Sequence, residues 1–157
     1  MPEFYLTDLL NLANLEVLGY ETPDAETVIF EIKPTLKVAL CPKCKTPSSE
    51  VHDYDTAGLV RGLSMSGRKS YLRMRAQRFK CNQCQHSFTE RLAWSAFDSS
   101  YTKRFEEHVF VLCQKNTVQD VSRLLELGYE AVEGIFKRHA KKDPGTPDEN
   151  CTSYQHR

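Results

Sequence analysis

Two Cys-x-x-Cys pairs are the residues of this chain whose type and spacing most clearly predict chemistry. Cys41 and Cys44 form the first pair, Cys81 and Cys84 form the second, and 36 residues separate the pairs. Two turns of this kind complete the tetrahedral shell of four thiolates that Zn²⁺ prefers, and a shell without an open position is structural. The sequence therefore predicts one structural zinc ion in a zinc ribbon, with Phe88 as the aromatic residue beneath the metal.

Other uses of the cysteines are two disulfides or buried thiols. Disulfides need an oxidising compartment, and the N-terminal residues lack the basic and apolar regions of a secretory signal, so we expect a cytoplasmic protein. His52 and His86 are substitute ligands by type, but each is expected to be an ordinary surface histidine. Cys113 lies in an apolar helical pattern and Cys151 in a polar tail, so neither is expected to bind the metal.

The formal net charge of zero conceals a charge asymmetry along the chain. Residues 1–60 carry 4 Lys/Arg and 10 Asp/Glu, whereas residues 61–91 carry 8 and 1. Residues 92–142 carry 8 and 7, and residues 143–157 carry 1 and 3. A polyanion responds to a local surface and not to the chain average, so the basic block 61–91 predicts contact with nucleic-acid phosphates. The alternative is a strand face whose cations are only solvated.

The basic block has the period of a half-buried strand with an arginine-bearing outer face, because apolar and polar side chains alternate over residues 69–76. Tyr71 and Gln77 share that outer face in this pattern. Residues 62–67 are expected to form the turn of a hairpin, after a strand over 57–63. A bulge or the start of the second cysteine turn is expected at 78–80. The side chains expected to contact DNA from this block are Arg61, Arg68, Lys69, Arg73, Arg75, Arg78, Lys80 and Arg91.

Upstream of the first cysteine pair, the pattern predicts a short helix near residues 4–12 and short strands over 15–20 and 28–32. A turn-rich connection over 21–25 separates these two strands, and residues 37–40 lead into the cysteine turn. The acidic character of this part makes it a poor DNA surface. Packing or contact with a protein partner is expected for it instead.

Downstream of the basic block the apolar period changes from two to about three and a half, which predicts helices over 102–115, 119–126 and 130–142. Thr117 and Asp120 give a start signal for the second helix, and Gly128 lies where a tight turn is needed before the third. The last two helices therefore predict a helix-turn-helix whose third helix enters the major groove. A plain three-helix bundle is the alternative.

The third predicted helix separates packing residues from groove residues. Val132, Ile135 and Phe136 are expected to pack against the second helix. Acidic residues in its first turn either accept hydrogen bonds from cytosine amino groups or simply favour the helix N-terminus, and Gly134 costs about 1 kcal/mol of helix stability relative to Ala. The side chains expected in the groove are Glu130, Glu133, Lys137, Arg138 and Lys141.

Together these patterns predict an α+β protein with a β-rich zinc ribbon in residues 1–95, a three-helix module with a helix-turn-helix in residues 100–142 and a disordered tail in residues 143–157. The longest apolar run, residues 109–113, is far shorter than the ~20 residues of a membrane helix. No phosphate-binding Gly-rich loop or HExxH motif is present in the sequence, so we expect no enzymatic activity.

The order of these motifs resembles the N-terminal region of the ISL-three group of insertion-sequence transposases. The resemblance covers about residues 15–142 and rests on the CPKC pair, the basic run 72–80 before Cys81, the sequence Phe-Thr-Glu-Arg at 88–91, and residues 117–138 as the helix-turn-helix. It implies recognition of the terminal inverted repeats of the element. In that family a separate RNase H-like domain with three acidic residues and a divalent metal cuts DNA, and residues 143–157 are too few to form one.

The expected partner is therefore double-stranded DNA, and the expected location is the cytoplasm at the nucleoid. A full-length transposase or a second copy of this chain is a further expected partner if the chain acts as a regulator or competitor of transposition. The rival function is a protein-interaction module that uses the ribbon as a platform. A third hypothesis is single-stranded nucleic-acid binding, with Tyr71 and Phe79 as stacking surfaces.

Overall fold

A computed structural model describes residues 3–96 and 99–142 of the chain. The chain divides into two compact units at the boundary between Thr102 and Lys103. The first unit is rich in β-strands and the second is helical. In the described residues, no helix combines the length and the apolar character needed to cross a membrane. The predicted disordered tail, residues 143–157 with Cys151, lies outside the described residues.

The first unit begins with helix α1 (Glu3–Leu10) and continues, in its described residues, with nine strands. The strands are β1 (Leu15–Asp24), β2 (Thr27–Pro34), β3 (Ala39–Leu40), β4 (Pro47–Ser48), β5 (Val51–Tyr54), β6 (Gly58–Met65), β7 (Arg68–Met74), β8 (Gln77–Lys80) and β9 (Ser87–Thr89). They form a four-stranded sheet in the order β1-β2-β7-β6, a two-stranded sheet β3-β4 and a three-stranded sheet β5-β8-β9.

The four-stranded sheet holds the main apolar core of the first unit. Strand β2 pairs antiparallel with β1 and parallel with β7, so that Ile29 lies opposite Tyr71. Alternate side chains point to one face, which the two-residue period of a strand requires. Leu92 and Trp94 pack on the same core from beyond the last strand. The other buried members are Leu10, Leu15, Val17, Val28, Phe30, Ile32 and Leu72.

Two hairpin turns are shorter than the sequence pattern predicts. Strand β6 continues to Met65, and only Ser66 and Gly67 form the turn, with φ angles of 51° and 75°. Two positive φ angles are typical of the two-residue type I′ turn, whose twist matches that of the strands it joins. Strand β1 likewise runs to Asp24, so its turn to β2 is short as well. Pairing in the sheet overrides the local turn preference of Gly, Ser and Pro in both places.

The second unit consists, in its described residues, of helices α2 (Lys103–Cys113), α3 (Val118–Leu125) and α4 (Tyr129–Lys142). All three lie close to the predicted ranges. The Thr117 hydroxyl accepts a hydrogen bond from the Asp120 backbone N–H at 3.1 Å and caps α3, as the sequence predicts. Helix α3 ends at Glu126, which has a φ of 53°, so Glu126 and not Gly128 supplies the left-handed residue of the turn.

The helices of the second unit enclose a core of their own. The predicted packing residues of α4, Val132, Ile135 and Phe136, are buried. The ring of Phe136 stacks on Phe110 of α2 with centroids 5.5 Å apart, so α4 packs on the first helix of the unit in addition to the second. The other buried apolar residues are Phe105, Val109, Cys113, Val118 and Val121.

A buried carboxylate links α2 to α4. The Glu106 side chain is 5% exposed, and it accepts a hydrogen bond from Arg138 Nη2 at 2.8 Å. His139 Nε2 lies 3.1 Å from the other Glu106 oxygen, and the His139 ring stacks on Phe110. A carboxylate taken out of water needs such partners. Arg138, which the sequence analysis assigns to the DNA groove, therefore has a structural contact.

We expect Arg138→Ala to destabilise the helical unit by about 1–3 kcal/mol, because the buried Glu106 carboxylate then loses its charged hydrogen-bond donor. Lys137→Ala is the matched control, since its ion pair with Glu133 at 3.0 Å is exposed and should contribute only about 0.3–0.5 kcal/mol. Urea unfolding followed by helical circular dichroism measures both. Equal losses for the two variants would show that the Glu106 contact does not stabilise the unit.

Candidate metal centre and nucleic-acid interface

Each cysteine pair lies at the tip of a hairpin, the first between β3 and β4 and the second between β8 and β9. The two turns have the same hydrogen bonds. The backbone N–H of Lys45 donates to Cys41 O at 2.8 Å, and that of Gln85 donates to Cys81 O at 2.9 Å. In each turn, the N–H of the first cysteine donates to the carbonyl five residues later, at 3.0 Å and 2.9 Å. Lys45 and Gln85 also share a positive φ, 63° and 61°, so two different sequences form one turn geometry.

The two turns bring all four cysteine sulfurs within 4.8 Å of one another. Cys41 Sγ lies 3.6 Å from Cys84 Sγ, and Cys44 Sγ lies 3.5 Å from Cys81 Sγ. A tetrahedron with Zn–S bonds of about 2.3 Å has sulfurs about 3.8 Å apart. The sulfur positions therefore fit a zinc ion held by thiolates alone. In the described residues, these four cysteines are the group of side chains that can hold a metal ion.

The thiols differ in their tendency to ionise. Hydrogen bonds with the Thr46 hydroxyl, and then with its backbone, lower the pKa of Cys44 to about 6. The backbone hydrogen bond with His86 lowers the pKa of Cys84, but desolvation and the other three sulfurs outweigh it and raise that pKa to about 11. Close sulfurs cannot all be charged without a cation between them. Zinc binding must therefore release protons, and the affinity for zinc should fall as pH falls.

Two aromatic residues pack against the four-cysteine cluster. The Phe79 and Phe88 rings stack with centroids 5.9 Å apart, and both belong to a buried cluster with Ala39, Cys41 and Cys81. Phe88 therefore packs where the sequence analysis places it. Phe79 is fully buried, so the hypothesis that it stacks on unpaired bases is wrong. Its position two residues before a ligand is a signal for this packing that the sequence analysis missed.

The two histidines near the cysteines have other environments. His52 Nδ1 lies 3.1 Å from the Arg78 carbonyl oxygen, and its Nε2 lies 3.5 Å from Ser87 Oγ. His86 is exposed on the second cysteine turn. Neither belongs to the sulfur cluster, in agreement with their expected role as surface histidines.

Acidic residues of the first 60 positions neutralise part of the basic block. Arg73 of β7 lies opposite Glu31 of β2 and forms an ion pair with it, and Arg73 Nη2 also lies 2.9 Å from Glu21 Oε1. Hydrogen bonds with Glu31, and then with Glu21, raise the pKa of Arg73. Arg78 Nε lies 3.8 Å from a carboxylate oxygen of Asp55. Pairing of these three acids with the basic block is a form of the packing expected for the acidic first 60 residues, and the opposite charges of the two segments are a signal for it.

Two residues with an expected surface role are buried, namely Arg61, an expected DNA contact, and Gln77, expected on the outer strand face. Arg61 is 6% exposed in β6, where its backbone N–H donates to Ser100 O at 2.8 Å, so we leave it out of the DNA-binding set. Gln77 is 7% exposed, and its backbone N–H donates to Glu90 Oε1 at 2.8 Å. Burial raises the pKa of Glu90, although the hydrogen bonds with Gln77 oppose this shift. The chain leaves one sheet at Met74 and enters another at Gln77, which ends the alternation.

The remaining cations of the block are distributed over two sheets. Arg68 and Lys69 begin β7, where Arg68 Nε donates to the Ala25 carbonyl at 3.2 Å. Arg75 is exposed between β7 and β8, and its Nε donates to the Asp55 carbonyl at 2.9 Å. Lys80 ends β8 beside the second cysteine pair, and Arg91 is exposed after β9. The structure thus brings the four cysteines together but does not gather the eight cations on one strand face.

The expected groove residues of α4 fall into two groups. Glu130, Lys137 and Lys141 are exposed. Glu133 is half-buried and forms an ion pair with Lys137, whereas Arg138 contacts Glu106 of α2. The outward face of α4 therefore carries charges of both signs, and its lysines are the cations best placed to meet a polyanion.

We expect Cys41→Ser and Cys84→Ser each to abolish stable zinc binding and to unfold the ribbon strands, because the buried cluster at the site has only three residues, Ala39, Phe79 and Phe88, besides two of the ligands. Elemental analysis measures the zinc, with about one ion per chain expected for the native protein. Hydrogen exchange over residues 77–89 measures the folding of the ribbon.

The matched control is Cys113→Ala, which removes a buried cysteine of α2 in the other unit. It should leave both the zinc content and the ribbon protection unchanged. Unchanged exchange over residues 77–89 after complete removal of zinc by a chelator would contradict a structural role for the metal.

Comparisons with known proteins agree with this geometry. Residues 37–84 match the family model described as the zinc-finger of transposase IS204/IS1001/IS1096/IS1165. Residues 90–140 match the model described as the helix-turn-helix domain of transposase family ISL3. The transposase for insertion sequence element IS1001 of Bordetella parapertussis is 32% identical over 140 residues, which are 89% of this chain and 34% of the relative.

The chain spans about a third of the length of that curated relative. No solved structure matches this chain. Two family models from one group of transposases match this chain, first the zinc ribbon and then the helix-turn-helix. The structure shows the four-cysteine cluster within the first match and three packed helices across the second. The two matches and this relative together support the assignment of the chain to an N-terminal region of ISL3-group transposases, the region that holds the zinc ribbon and the helix-turn-helix.

Proposed function

We propose that this chain binds double-stranded DNA, with α4 in the major groove and a ribbon held together by one structural zinc ion. The observation that carries the proposal is the division of α4 into a buried apolar side and an outward charged side within a matched helix-turn-helix domain. Fourteen residues give a helix about 21 Å long, which is enough to lie along a groove. We assign the ribbon domain to residues 1–95 and the helix-turn-helix domain to residues 100–142.

Two hydrogen bonds between Ser122 and Leu127 hold the turn between α3 and α4, which can therefore orient a recognition helix. The Ser122 hydroxyl donates to the Leu127 carbonyl at 2.6 Å, and the Leu127 N–H donates to the Ser122 carbonyl at 3.0 Å. The Thr117 cap fixes the other end of α3. A rigid pair of helices can present the start of the second helix to base edges without a further loss of conformational entropy.

The ribbon cations supply a smaller, sequence-independent part of the affinity in this proposal. Phosphate contacts position a protein on DNA but do not read the bases. Arg73 is omitted because two carboxylates hold its guanidinium group. The cations that we retain for phosphate contact are Arg68, Lys69, Arg75, Arg78, Lys80 and Arg91.

The proposed target is the terminal inverted repeats of an insertion sequence, since the matched relative is a transposase for such an element. Because the match covers 34% of that relative, we assign the cutting and joining of DNA to residues outside this region or to a partner. A full-length transposase or a second copy of this chain is the proposed protein partner, at the nucleoid in the cytoplasm.

A protein-interaction role is the second candidate, and a groove in the ribbon favours it. The groove encloses about 350 Å³ and is bordered by Leu36, Pro42 and Phe88 among others. Val38 and Leu40 line it as well and are 49% and 63% exposed, so they add apolar surface to the groove. An apolar interface depends little on salt, whereas a DNA complex with several phosphate contacts weakens steeply as salt rises.

We expect the full chain to enrich a defined duplex from a randomised pool and to bind it with a steep salt dependence. Lys137→Ala and Lys141→Ala should each lose about 1–3 kcal/mol of discrimination if the lysine contacts a base, or make the log-affinity against log-salt slope shallower by about one unit if it contacts phosphate. Binding titrations at several salt concentrations measure both effects.

Arg73→Ala is the control, because its guanidinium group is already neutralised and its loss should change duplex affinity little. A salt-independent affinity, or variants of both α4 lysines that bind like the native chain, would refute the proposed groove contact and favour the protein-interaction role.

A further inference from the structure

Gly134 lies in the interior of α4, where glycine is a poor choice for helix stability. The usual structural reasons for a glycine do not apply to it. Its backbone is not in the left-handed region, which among the described glycines is adopted by Gly67. A Cβ at position 134 would meet only Arg138 Nη1, at an ordinary contact distance of 3.5 Å. The fold of this unit would therefore accept alanine.

Gly134 lies on the side of α4 that faces away from the buried residues of the helix. Successive residues are about 100° apart, so Gly134 lies within about 30° of the direction opposite the buried residues Val132, Ile135 and Phe136. Gly134 is partly exposed, and Glu130, one turn earlier, and Lys137, one turn later, are exposed beside it. The outward face thus has no side chain at position 134, while charged side chains surround that position.

We propose that Gly134 is a positioning residue for DNA, which lets the backbone of α4 approach the base edges of the major groove closely. This inference rests on the proposed function, in which α4 enters that groove. A helix with its side chains is about 10–12 Å across and the groove is about 12 Å wide, so the fit has little spare room. A methyl group at the leading surface would hold the helix farther out, and hydrogen bonds from its neighbours to the bases would lengthen and weaken.

A structural explanation for Gly134 makes the opposite prediction. The Arg138 side chain passes near Gly134 as it reaches Glu106, so the glycine would then serve that ion pair. In that case alanine would disturb the contact and lower the thermal stability. If the glycine serves DNA, alanine should raise the thermal stability and weaken DNA binding.

The test compares Gly134→Ala and Gly134→Leu with the native full chain in its zinc-bound form. Both new residues are good helix formers, so we expect Tm to rise by about 4 °C for the alanine variant. Affinity for the duplex that the native chain enriches from a randomised pool should fall about tenfold for alanine and further for leucine. Gly19→Ala is the matched control, because a Cβ there meets nothing within 4 Å and the residue lies on β1. It should leave duplex affinity unchanged.

Three outcomes overturn the inference, and they are distinguishable. If both Gly134 variants bind like the native chain while Lys137→Ala weakens binding, the groove contact stands and the role of Gly134 does not. If both variants lose thermal stability together with affinity, the glycine serves the Arg138 contact. If the native chain enriches no duplex, the proposed function fails and this inference fails with it.

Discussion

Four sulfurs within 4.8 Å of one another are the constraint on which the ribbon depends. Thiolates at such distances repel, and desolvation together with the three neighbouring sulfurs raises the pKa of Cys84 to about 11, although a backbone hydrogen bond with His86 lowers it. A divalent cation reverses the sign of that interaction. The site joins the hairpin β3-β4 to the hairpin β8-β9 across the 36 residues that separate the two pairs. The metal thus replaces much of the apolar core that so small a sheet cannot provide.

Charge pairing has a comparable influence on the four-stranded sheet. The acids of the first 60 residues are not a separate surface, because the parallel pairing of β2 with β7 places Glu31 beside Arg73. Asp55 is similarly placed beside Arg78. Exposed pairs of this kind contribute little stability, but they reduce the positive potential that the sequence profile indicates. The electrostatic case for DNA contact therefore shifts from the basic block towards the lysines of α4.

The sequence predicted the features that depend on local chemistry. Cysteine spacing alone indicates the ligand set, and the helical period with the Thr117 cap places α2, α3 and α4 within a few residues. These signals are reliable because each arises from a single turn or a single helix. The α+β character follows from the change of period near residue 92, although the order of the strands does not.

Features that depend on distant pairing were not predictable in the same way. The parallel contact of β2 with β7 joins segments that are distant in the sequence, since Glu31 and Arg73 are 42 positions apart. The antiparallel pairings of β1 with β2 and of β6 with β7 extend strands through residues whose local preference is for turns. Burial of Gln77 likewise depends on a change of sheet that no period reveals. The contact of Arg138 with Glu106 was not predictable for another reason: the Arg138 Cα lies near the outward face, but a long side chain can reach a buried carboxylate on a neighbouring helix.

The two units are stabilised by different contacts, and in the proposed function they contribute differently to DNA binding. The first unit combines the apolar core of its four-stranded sheet with the four-cysteine cluster, whereas the helical unit has an apolar core and the Glu106 contact, neither of which involves a cysteine ligand. Since both belong to one chain, binding of either to DNA raises the effective concentration of the other. Weak, sequence-independent contacts from the ribbon would then strengthen the complex, while the choice of base pairs would remain with the outward face of α4.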